Sequence, residues 1–412
     1  MINDIEIMSP VGSWEALAAA LQAGAGSVYF GVGELNMRSK STFNFTLGDL
    51  RTIAGACRER GVKSYLTLNT VIYDEDIDYM KQTADTAHES GVTAVIASDL
   101  AVMDYCRRIG LEVHISTQAN VSNIEAVRFF AGFGDVIVLA RELSLEQIGH
   151  ITGEIERQAI TGPMGSEVKI EVFVHGAMCM AISGKCYLSL HEKGHSANRG
   201  KCLQICRRSY VATDKETGRQ LDFGNQYIMS PKDLCTIGFI DKIIEAGAKV
   251  LKIEGRGRGP EYVKIATECY KKAVEAYFGG SYNKGLIGEL KERLETVYNR
   301  GFWDGYYLGR EMIELTGRYG SSATKKKVYV GKIVNYYAKV NAAEMLIESG
   351  DVATGDEIMA IGPTTGALEL YMPEMRMAGD VPVTQASKGD TVAFYSAEAM
   401  RRSDKVYKIV SR

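Results

Sequence analysis

Apolar and polar positions along the first 255 residues follow two alternating patterns. Short continuous apolar runs, typical of strands covered on both faces, alternate with longer stretches whose apolar spacing is that of amphipathic helices. The short runs predict eight strands: Ile5–Met8, Ser27–Phe30, Ser64–Leu68, Ala94–Ala97, Val113–Ser116, Val136–Leu139, Ile170–Val174 and Val250–Ile253.

Helices with recognisable ends are predicted between these strands. One begins after Ser13, whose hydroxyl suits an N-cap, and ends near Gly24. Others cover Leu50–Arg60, with Asp49 as the predicted N-cap, and Asp76–Glu89. Eight strands alternating with helices predict an α/β fold, a (β/α)8 TIM-like barrel. An open doubly wound sheet is the alternative, since periodicity does not separate the two, but the strand count favours the barrel.

The pattern changes near residue 325. Helices are predicted over Pro260–Phe278 and Leu286–Tyr298, and a lysine run, residues 325–327, then opens a series of short β-like segments separated by turns. We therefore predict a barrel domain over residues 1–320 and a small C-terminal all-β barrel over residues 325–412. The lysine run is interpreted either as a contact for nucleic-acid phosphates or as a solvated linker.

Composition narrows the class of protein. The chain has 412 residues, is 46% hydrophobic and carries a net charge of -3 at pH 7, which does not indicate a wholesale nucleic-acid binder. The first residues lack the basic and apolar regions of a signal peptide, and no uncharged apolar run reaches the roughly 18 residues of a membrane span. We expect a cytoplasmic protein with no membrane partner.

Polar residues follow the ends of most predicted strands. In a (β/α)8 barrel these positions meet at the carboxyl-terminal mouth, where active sites lie. Arg141 and Arg256 are predicted to bind a carboxylate or phosphate through bidentate hydrogen bonds. Glu142, His175 and Glu254 are predicted to carry protons. The alternative is that some of these residues only pair with one another to close the rim.

Five of the eight cysteines lie in a long insertion before the last barrel strand. The insertion, residues 176–236, is too long for a simple connection and is predicted to carry function. Thiolates select zinc or an iron–sulfur cluster. The spacing lacks the paired Cys-x2-Cys knuckles of zinc ribbons, which favours the cluster, with zinc and reactive or packing thiols as alternatives. The five are Cys179, Cys186, Cys202, Cys206 and Cys235.

The remaining three cysteines, Cys57, Cys106 and Cys269, lie in helical patterns. Cysteine in such a position usually acts as a small apolar side chain. We interpret all three as buried packing residues.

Several motifs resemble those of the family called U32 peptidases. The longest is EVFVHGAMCMAISGKCYLS at residues 171–189, and the match extends over most of the chain. The other motifs are SPVGS at 9–13, STQAN at 116–120, LARELS at 139–144, NRGKC at 198–202, SPKDLC at 230–235 and KIEGR at 252–256.

The resemblance implies an activity and a cofactor. Characterised members are oxygen-independent hydroxylases with a [4Fe-4S] cluster; one branch converts the tRNA wobble uridine to 5-hydroxyuridine with prephenate as hydroxyl donor, and another modifies a cytidine of 23S rRNA. By resemblance, Cys179, Cys186, Cys202 and Cys235 are the expected ligands, with Cys206 as the alternative fourth. Length and the C-terminal β-barrel most resemble the tRNA branch, so tRNA is the expected partner and a second U32-family protein a further candidate.

Peptidase activity is the alternative function, because the family is called a peptidase family after a collagenase described among its early members. The sequence contains no Gly-x-Ser-x-Gly nucleophile elbow. Cys179 with His175 is the candidate nucleophile and base. A peptidase gives no reason for clustered cysteines, and a noncatalytic RNA-binding factor gives none for a polar barrel mouth. RNA hydroxylation is therefore preferred.

Overall fold

Eight parallel strands form a closed barrel in the computed structural model, which describes residues 4–40, 44–221, 225–310 and 312–412. The barrel closes because its last strand pairs in parallel with both the first and the seventh. This confirms the predicted TIM-like fold over the open-sheet alternative. The barrel strands are β1 (Glu6–Pro10), β2 (Ser27–Gly31), β3 (Lys63–Leu68), β4 (Ala94–Ala97), β5 (Glu112–Ile115), β6 (Val136–Val138), β7 (Lys169–Ala177) and, after three strands of the insertion, β11 (Val250–Ile253).

Helices surround the barrel and bury their apolar faces against the strands. Ser13 caps the first helix as predicted, accepting a hydrogen bond from the amide of Ala16 at 3.2 Å. Asp49 does not cap the second; its carboxylate binds the amide of Thr46 at 2.8 Å and so closes the turn before the helix. The helices are α1 (Trp14–Gln22), α2 (Leu50–Arg58), α3 (Ile77–Glu89), α4 (Leu100–Arg108), α5 (Ile124–Phe130), α6 (Leu145–Gln158), α7 (Leu188–Lys193), α8 (Ile240–Glu245), α9 (Pro260–Phe278) and α10 (Lys284–Glu295).

The insertion between β7 and β11 lies at the carboxyl-terminal mouth of the barrel and is short of regular structure. It contains α7, the two-residue strands β8 (Ala212–Thr213) and β9 (Gln220–Leu221), and β10 (Asp233–Cys235). β10 pairs antiparallel with β7 and parallel with β12 (Phe302–Trp303), so the end of the insertion returns to the barrel wall.

The C-terminal domain is all-β, as predicted. Its strands form one eight-stranded antiparallel sheet and one two-stranded sheet around a separate apolar core. The strands are β13 (Lys325–Tyr337), β14 (Ala342–Ile347), β15 (Asp351–Ala353), β16 (Glu357–Gly362), β17 (Gly366–Tyr371), β18 (Met375–Met377), β19 (Val381–Val383), β20 (Gln385–Ser387), β21 (Thr391–Tyr395) and β22 (Lys405–Ser411).

The two domains pack through helices α1 and α9 of the barrel. Gln22 Nε2 donates to the carbonyl of Thr365 at 2.9 Å, and Lys264 Nζ donates to the carbonyl of Ala367 at 2.9 Å. The lysine run belongs to β13 rather than to a linker: Lys325 binds Glu357, and Lys327 binds Glu261 of α9 at 2.9 Å. Among the described helices, none is long and apolar enough to cross a membrane.

The loop after β1 depends on a glycine at its contact with the barrel mouth. A methyl group on Gly12 would overlap the backbone carbonyl oxygen of Arg256. We expect Gly12→Ala to lower the free energy of unfolding by about 1–3 kcal/mol, because a backbone carbonyl yields little to overpacking. Urea unfolding followed by tryptophan fluorescence measures the change.

Gly153→Ala is the matched control. Gly153 is exposed within α6, and no atom lies within 4 Å of the position of an added methyl group. This variant is expected to gain roughly 0.5–1 kcal/mol from helix propensity. Equal stability of Gly12→Ala and the wild type would contradict the tight contact.

Candidate functional site

A cavity of about 420 Å³ lies at the carboxyl-terminal mouth of the barrel. Strand residues such as Tyr29, Thr67 and Phe173 form its floor, loops after the strands form its rim, and the insertion forms its opposite wall. The volume falls within the range of sites for small molecules and cofactors.

Three arginines in this cavity make no ion pair with a carboxylate of the described part of the chain. Arg256, 6% exposed, donates to the side-chain oxygens of Asn36 at 3.1 Å and Thr67 at 2.8 Å. Arg141 stacks 3.8 Å from the ring of Phe173, and its buried Nε has no hydrogen-bond partner. Arg207 donates to backbone carbonyls and a hydroxyl. The three guanidinium groups are therefore held by neutral partners, namely uncharged oxygens and, for Arg141, the ring of Phe173.

Burial of these groups has a cost that an anion would offset. Desolvation lowers the pKa of Arg256 to about 10, and burial together with the nearby Arg300 lowers the pKa of Arg207. Both groups stay charged at neutral pH. A buried cation without a counter-ion favours the binding of anionic ligands beside it.

The other cations of the cavity have carboxylate partners. Arg38 lies 2.8 Å from Glu254, and Lys252 lies 2.6 Å from Glu171. Arg258 and Arg300 share Asp233, at 3.9 and 3.3 Å. Seven cationic side chains thus face three carboxylates, which leaves four more positive than negative charges.

Glu254 is the only carboxylate among the described residues that line the cavity. Burial alone would raise its pKa, but the positive charges of Arg38, Arg258 and Arg141 hold that pKa at about 2. Such a carboxylate is charged at neutral pH. The arrangement favours an electrostatic role for Glu254 over the proton-carrying role predicted from the sequence.

The other two predicted proton carriers lie outside the cavity. Glu142 is exposed on the rim. His175 is 1% exposed and packs against the rings of Tyr262, Tyr270 and Phe302. Burial lowers the pKa of His175 to about 3, so its ring is neutral. These contacts give His175 a packing role.

Four of the five clustered cysteines line the same cavity: Cys179, Cys186, Cys202 and Cys206. All four lie in parts of the insertion that have little regular structure. Cys179 follows the end of β7, Cys186 precedes α7, and Cys206 lies in a short helical turn entered through Gln204 in the left-handed region. None of the four is fully buried. The cavity therefore brings four thiols next to three unpaired arginines.

Cys235 is separated from this group. It lies in β10, is 7% exposed, and its sulfur is 4.0 Å from the hydroxyl of Tyr270 on the outer side of the barrel wall. Burial raises the pKa of Cys235 to about 11. The structure thus groups Cys206, rather than Cys235, with the other three predicted ligands. Cys57, Cys106 and Cys269 are buried, as expected.

Arg207 and Arg199 hold the insertion in place. Arg207 joins the start of the insertion to its end, since it donates to the carbonyl of Met178 and to the hydroxyl of Ser230. Arg199 pairs with Asp76 on the barrel and stacks 3.9 Å from the ring of Tyr73. The wall that carries the cysteines is thereby fixed to the barrel.

The thiols of the cavity are the candidate metal ligands of the site. Within the described ranges, no three Cys, His, Asp or Glu side chains are close enough to hold a metal ion. A zinc ion needs four donors at about 2.0–2.3 Å from one centre. An iron–sulfur cluster spreads its thiolate ligands over several irons and so accepts a wider spacing. Four thiols around one cationic cavity fit the cluster better than a single ion.

Comparison with known proteins identifies the family. The sequence-family model described as peptidase family U32 matches residues 12–317 of this chain. This chain belongs to peptidase family U32.

U32 relatives carry two kinds of name. A collagenase of Porphyromonas gingivalis is 56% identical over 411 residues, which cover 100% of this chain and 99% of that protein. The tRNA hydroxylation protein P1 of Bacillus subtilis is 33% identical over 367 residues, covering 87% of this chain and 83% of that protein. A 23S rRNA 5-hydroxycytidine synthase of Escherichia coli is 33% identical over 314 residues, covering 74% of this chain and 46% of that protein.

The chain also contains the short histidine motif of zinc peptidases, which is absent from the predictions made above from the sequence. Residues 191–195 read His-Glu-Lys-Gly-His, the pattern in which a continuous helix presents two histidines to zinc. Here α7 ends at Lys193, and Gly194 turns the chain away in the left-handed region. Glu192 pairs with Arg208 at 2.7 Å. The helix is too short to form the zinc site.

Several charged residues of the U32 cavity were also missed. Arg38 comes from the loop after β2, and Arg258 and Arg300 approach from segments after the last barrel strand. Nothing in their local sequence indicates that they converge. Lys252 did have a signal, because a lysine inside the apolar run Val250–Ile253 is unusual for a buried strand.

The low pKa of Glu254 gives a test based on pH. Because the folded-state pKa is below the unfolded value, the charge of Glu254 stabilises the fold above about pH 4.5. This stabilisation, on the order of 3 kcal/mol, is lost as pH falls toward 2. Glu254→Gln should therefore lower the unfolding free energy by a constant amount between pH 7 and pH 5, and by less at lower pH, in urea titrations.

A difference that already shrinks between pH 7 and pH 5 would contradict the assignment. It would show that Glu254 takes up protons near neutrality. Glu34→Gln is the control, because Glu34 is largely exposed and its ion-pair partner within the described residues is Lys40. It should change stability by less than about 0.5 kcal/mol at every pH.

Proposed function

We propose that this U32 chain is an iron–sulfur-dependent, oxygen-independent hydroxylase of RNA, converting tRNA wobble uridine to 5-hydroxyuridine with prephenate as hydroxyl donor. The observation that carries the proposal is the juxtaposition, in one cavity, of four cysteines and three arginines without carboxylate partners. Thiols and uncompensated guanidinium groups together suit an anionic cofactor beside an anionic small substrate.

Cys179, Cys186, Cys202 and Cys206 would hold the cluster. When bound, a [4Fe-4S] cluster supplies one-electron chemistry without molecular oxygen. Four thiolates make the cluster site negative, and Arg207 lies beside Cys206 with no carboxylate partner in the described chain. This arginine would offset the negative charge while it anchors the wall that carries the ligands.

Arg141 and Arg256 would bind the two carboxylates of prephenate. Both lie at the mouth, both are held by neutral oxygens, and the ring of Phe173 lies beneath Arg141. The negative charge of Glu254 would repel both carboxylates from its side of the cavity and so orient the acid toward the two arginines. A dicarboxylate in this position lies beside the cysteine wall.

A tRNA substrate is supported by the relatives named for tRNA hydroxylation. The Bacillus subtilis protein of this name matches over 87% of this chain, and the rRNA synthase over 74%. An exposed tyrosine, Tyr187, directly follows Cys186 in the insertion and offers a face on which a base could stack. Cytidine of 23S rRNA is the alternative target.

The choice between Cys206 and Cys235 can be tested by substitution. Protein purified without oxygen should be brown, with about four irons and four sulfides per chain. Cys206→Ser should lose most of the iron and visible absorption, because Cys206 lines the cavity. Cys235→Ala should retain both, because Cys235 lies behind the barrel wall. Loss of the cluster from Cys235→Ala but not from Cys206→Ser would overturn the ligand set.

The substrate can be tested in cells that lack the gene. Mass spectrometry of digested tRNA should show loss of 5-hydroxyuridine-derived nucleosides and their return with the wild-type gene. Arg256→Lys should reduce the restored level about 10- to 100-fold, because lysine cannot replace a bidentate hydrogen bond. Arg293→Lys, at a surface ion pair with Glu268, is the control that should restore fully. A change confined to 23S rRNA would assign the other target.

Peptidase activity is a second candidate because a relative 56% identical is named collagenase. In the described residues no hydrogen bond joins a cysteine to a histidine, and His175 and Cys179 lie in different environments. Purified holoprotein should therefore leave gelatin intact. Hydrolysis that Cys179→Ser abolishes, while cluster-free protein keeps it, would favour the peptidase.

A further inference from the structure

A column of charged side chains runs through the interior of the barrel below the cavity. Interiors of such barrels are normally filled by branched apolar residues. Here Lys252, Glu171 and His114 point inward among apolar neighbours, and each is at most 5% exposed. Burying a charge costs desolvation free energy, so a continuous row of buried charges is not explained by packing and indicates a function.

The column is contiguous from the cavity to the opposite end of the barrel. Lys252 lines the cavity, and its Nζ lies 2.6 Å from Glu171 Oε1. Glu171 Oε2 lies 3.6 Å from Nδ1 of His114, and Nε2 of His114 lies 3.4 Å from Glu112 Oε1. Glu112 is the first residue of β5, and its side chain is 29% exposed. The row therefore begins at the cavity and ends at solvent.

We propose that Lys252, Glu171, His114 and Glu112 form a proton relay that connects the cavity with solvent at the amino-terminal end of the barrel. The inference rests on the proposed function in one respect. Replacing the C5–H of a pyrimidine by C5–OH forms a C5–O bond, breaks the C–O bond of the hydroxyl donor and breaks the C5–H bond. The pyrimidine loses two electrons, which remain on the donor as the electron pair of its broken C–O bond, and the C5 hydrogen leaves as one proton while a bound RNA covers the mouth. An exit through the barrel removes that proton without passing the RNA.

Each transfer in the relay is balanced. The imidazolium of His114 first releases its Nε2 proton to Glu112, and Glu112 loses one proton to water. The neutral ring then reorients, so that its free nitrogen faces Glu171 and its N–H faces Glu112. Lys252 passes a proton from Nζ to Glu171, Glu171 passes it to the free nitrogen of His114, and Lys252 takes up the proton released in the cavity. One proton enters and one leaves, and the four groups return to their starting charges.

The two contacts between His114 and the carboxylates are somewhat longer than hydrogen bonds. Both ring nitrogens of His114 and Oε2 of Glu171 are buried, and no described residue forms a hydrogen bond with them. Shortening each contact by about 0.5–0.7 Å would bring it to hydrogen-bond length. Hydrogen bonds at functional sites are often long in the free protein and tighten in the complex.

The charges around the column suit a histidine that holds a proton. Burial works against the charged form, but the carboxylates of Glu112 and Glu171 raise the pKa of His114. Burial lowers the pKa of Lys252 despite Glu171. The ring of Tyr65 packs 4.3 Å from His114, and its hydroxyl donates to Glu6 at 2.8 Å. Other charged groups near this end include Lys63, Lys169 and Asp135.

His175 is the matched control for His114 within the same chain. Both are 1% exposed, but His175 packs among aromatic rings and forms no ion pair with a carboxylate of the described ranges. In 15N-histidine-labelled holoprotein at pH 7, NMR should show His114 as an imidazolium whose ring protons exchange with water, and His175 as a neutral, slowly exchanging ring. Glu112→Gln should lower the pKa of His114. A neutral, slowly exchanging His114 would overturn the relay.

The catalytic consequence is measured in single turnovers. Glu112→Gln should slow hydroxylation at least about tenfold and increase the solvent deuterium isotope effect, with cluster content and tRNA affinity unchanged. His114→Ala should regain rate with added imidazole, a response that a merely structural histidine does not give. An unchanged isotope effect in Glu112→Gln, without imidazole rescue, would contradict the proposal. If the wild type hydroxylates no RNA, the proposed function fails, and the NMR comparison still decides the relay.

Discussion

An excess of positive charge in a partly enclosed cavity is the constraint on which the rest of this site depends. Seven cationic side chains converge on a space of about 420 Å³, and three nearby carboxylates balance fewer than half of them. Coulomb repulsion between guanidinium groups is strong where water is scarce. The arrangement is stable only if neutral oxygens, aromatic faces or bound anions compensate this repulsion. Arg141, Arg207 and Arg256 all donate to neutral oxygens, and Arg141 also lies on an aromatic face.

The same constraint links the insertion to the barrel. Arg207 is both a cation of the cavity and the residue that ties together the two ends of the cysteine-bearing wall. An anionic cluster in that wall would relieve the repulsion and strengthen the tie. Beneath the floor, Glu171 carries the negative charge that allows Lys252 to be buried, and its second oxygen faces His114. Charge compensation thus connects the mouth, the insertion and the barrel interior.

The sequence predicted the barrel well because its strands are continuous apolar runs; Ala94–Ala97 and Val250–Ile253 have the predicted bounds. The predictions were wrong or incomplete where tertiary contacts determine the local structure. The carboxylate of Asp49 accepts a hydrogen bond from the amide of Thr46 instead of capping the helix that follows. Short strands such as β18 and β19 lack a clear alternation of apolar and polar residues. Spacing showed that five cysteines cluster, but not that β10 turns Cys235 toward Tyr270. The convergence of Arg38 and Arg300 on one cavity has no local signal.

Anomalous diffraction at the iron absorption edge, on crystals grown without oxygen, would locate the metal in this site. One strong iron peak is expected inside the cavity, within bonding distance of the sulfurs of Cys179, Cys186, Cys202 and Cys206, with Arg207 beside it. An iron peak bonded to Cys235, or holoprotein crystals that contain zinc and no iron in the cavity, would contradict this expectation.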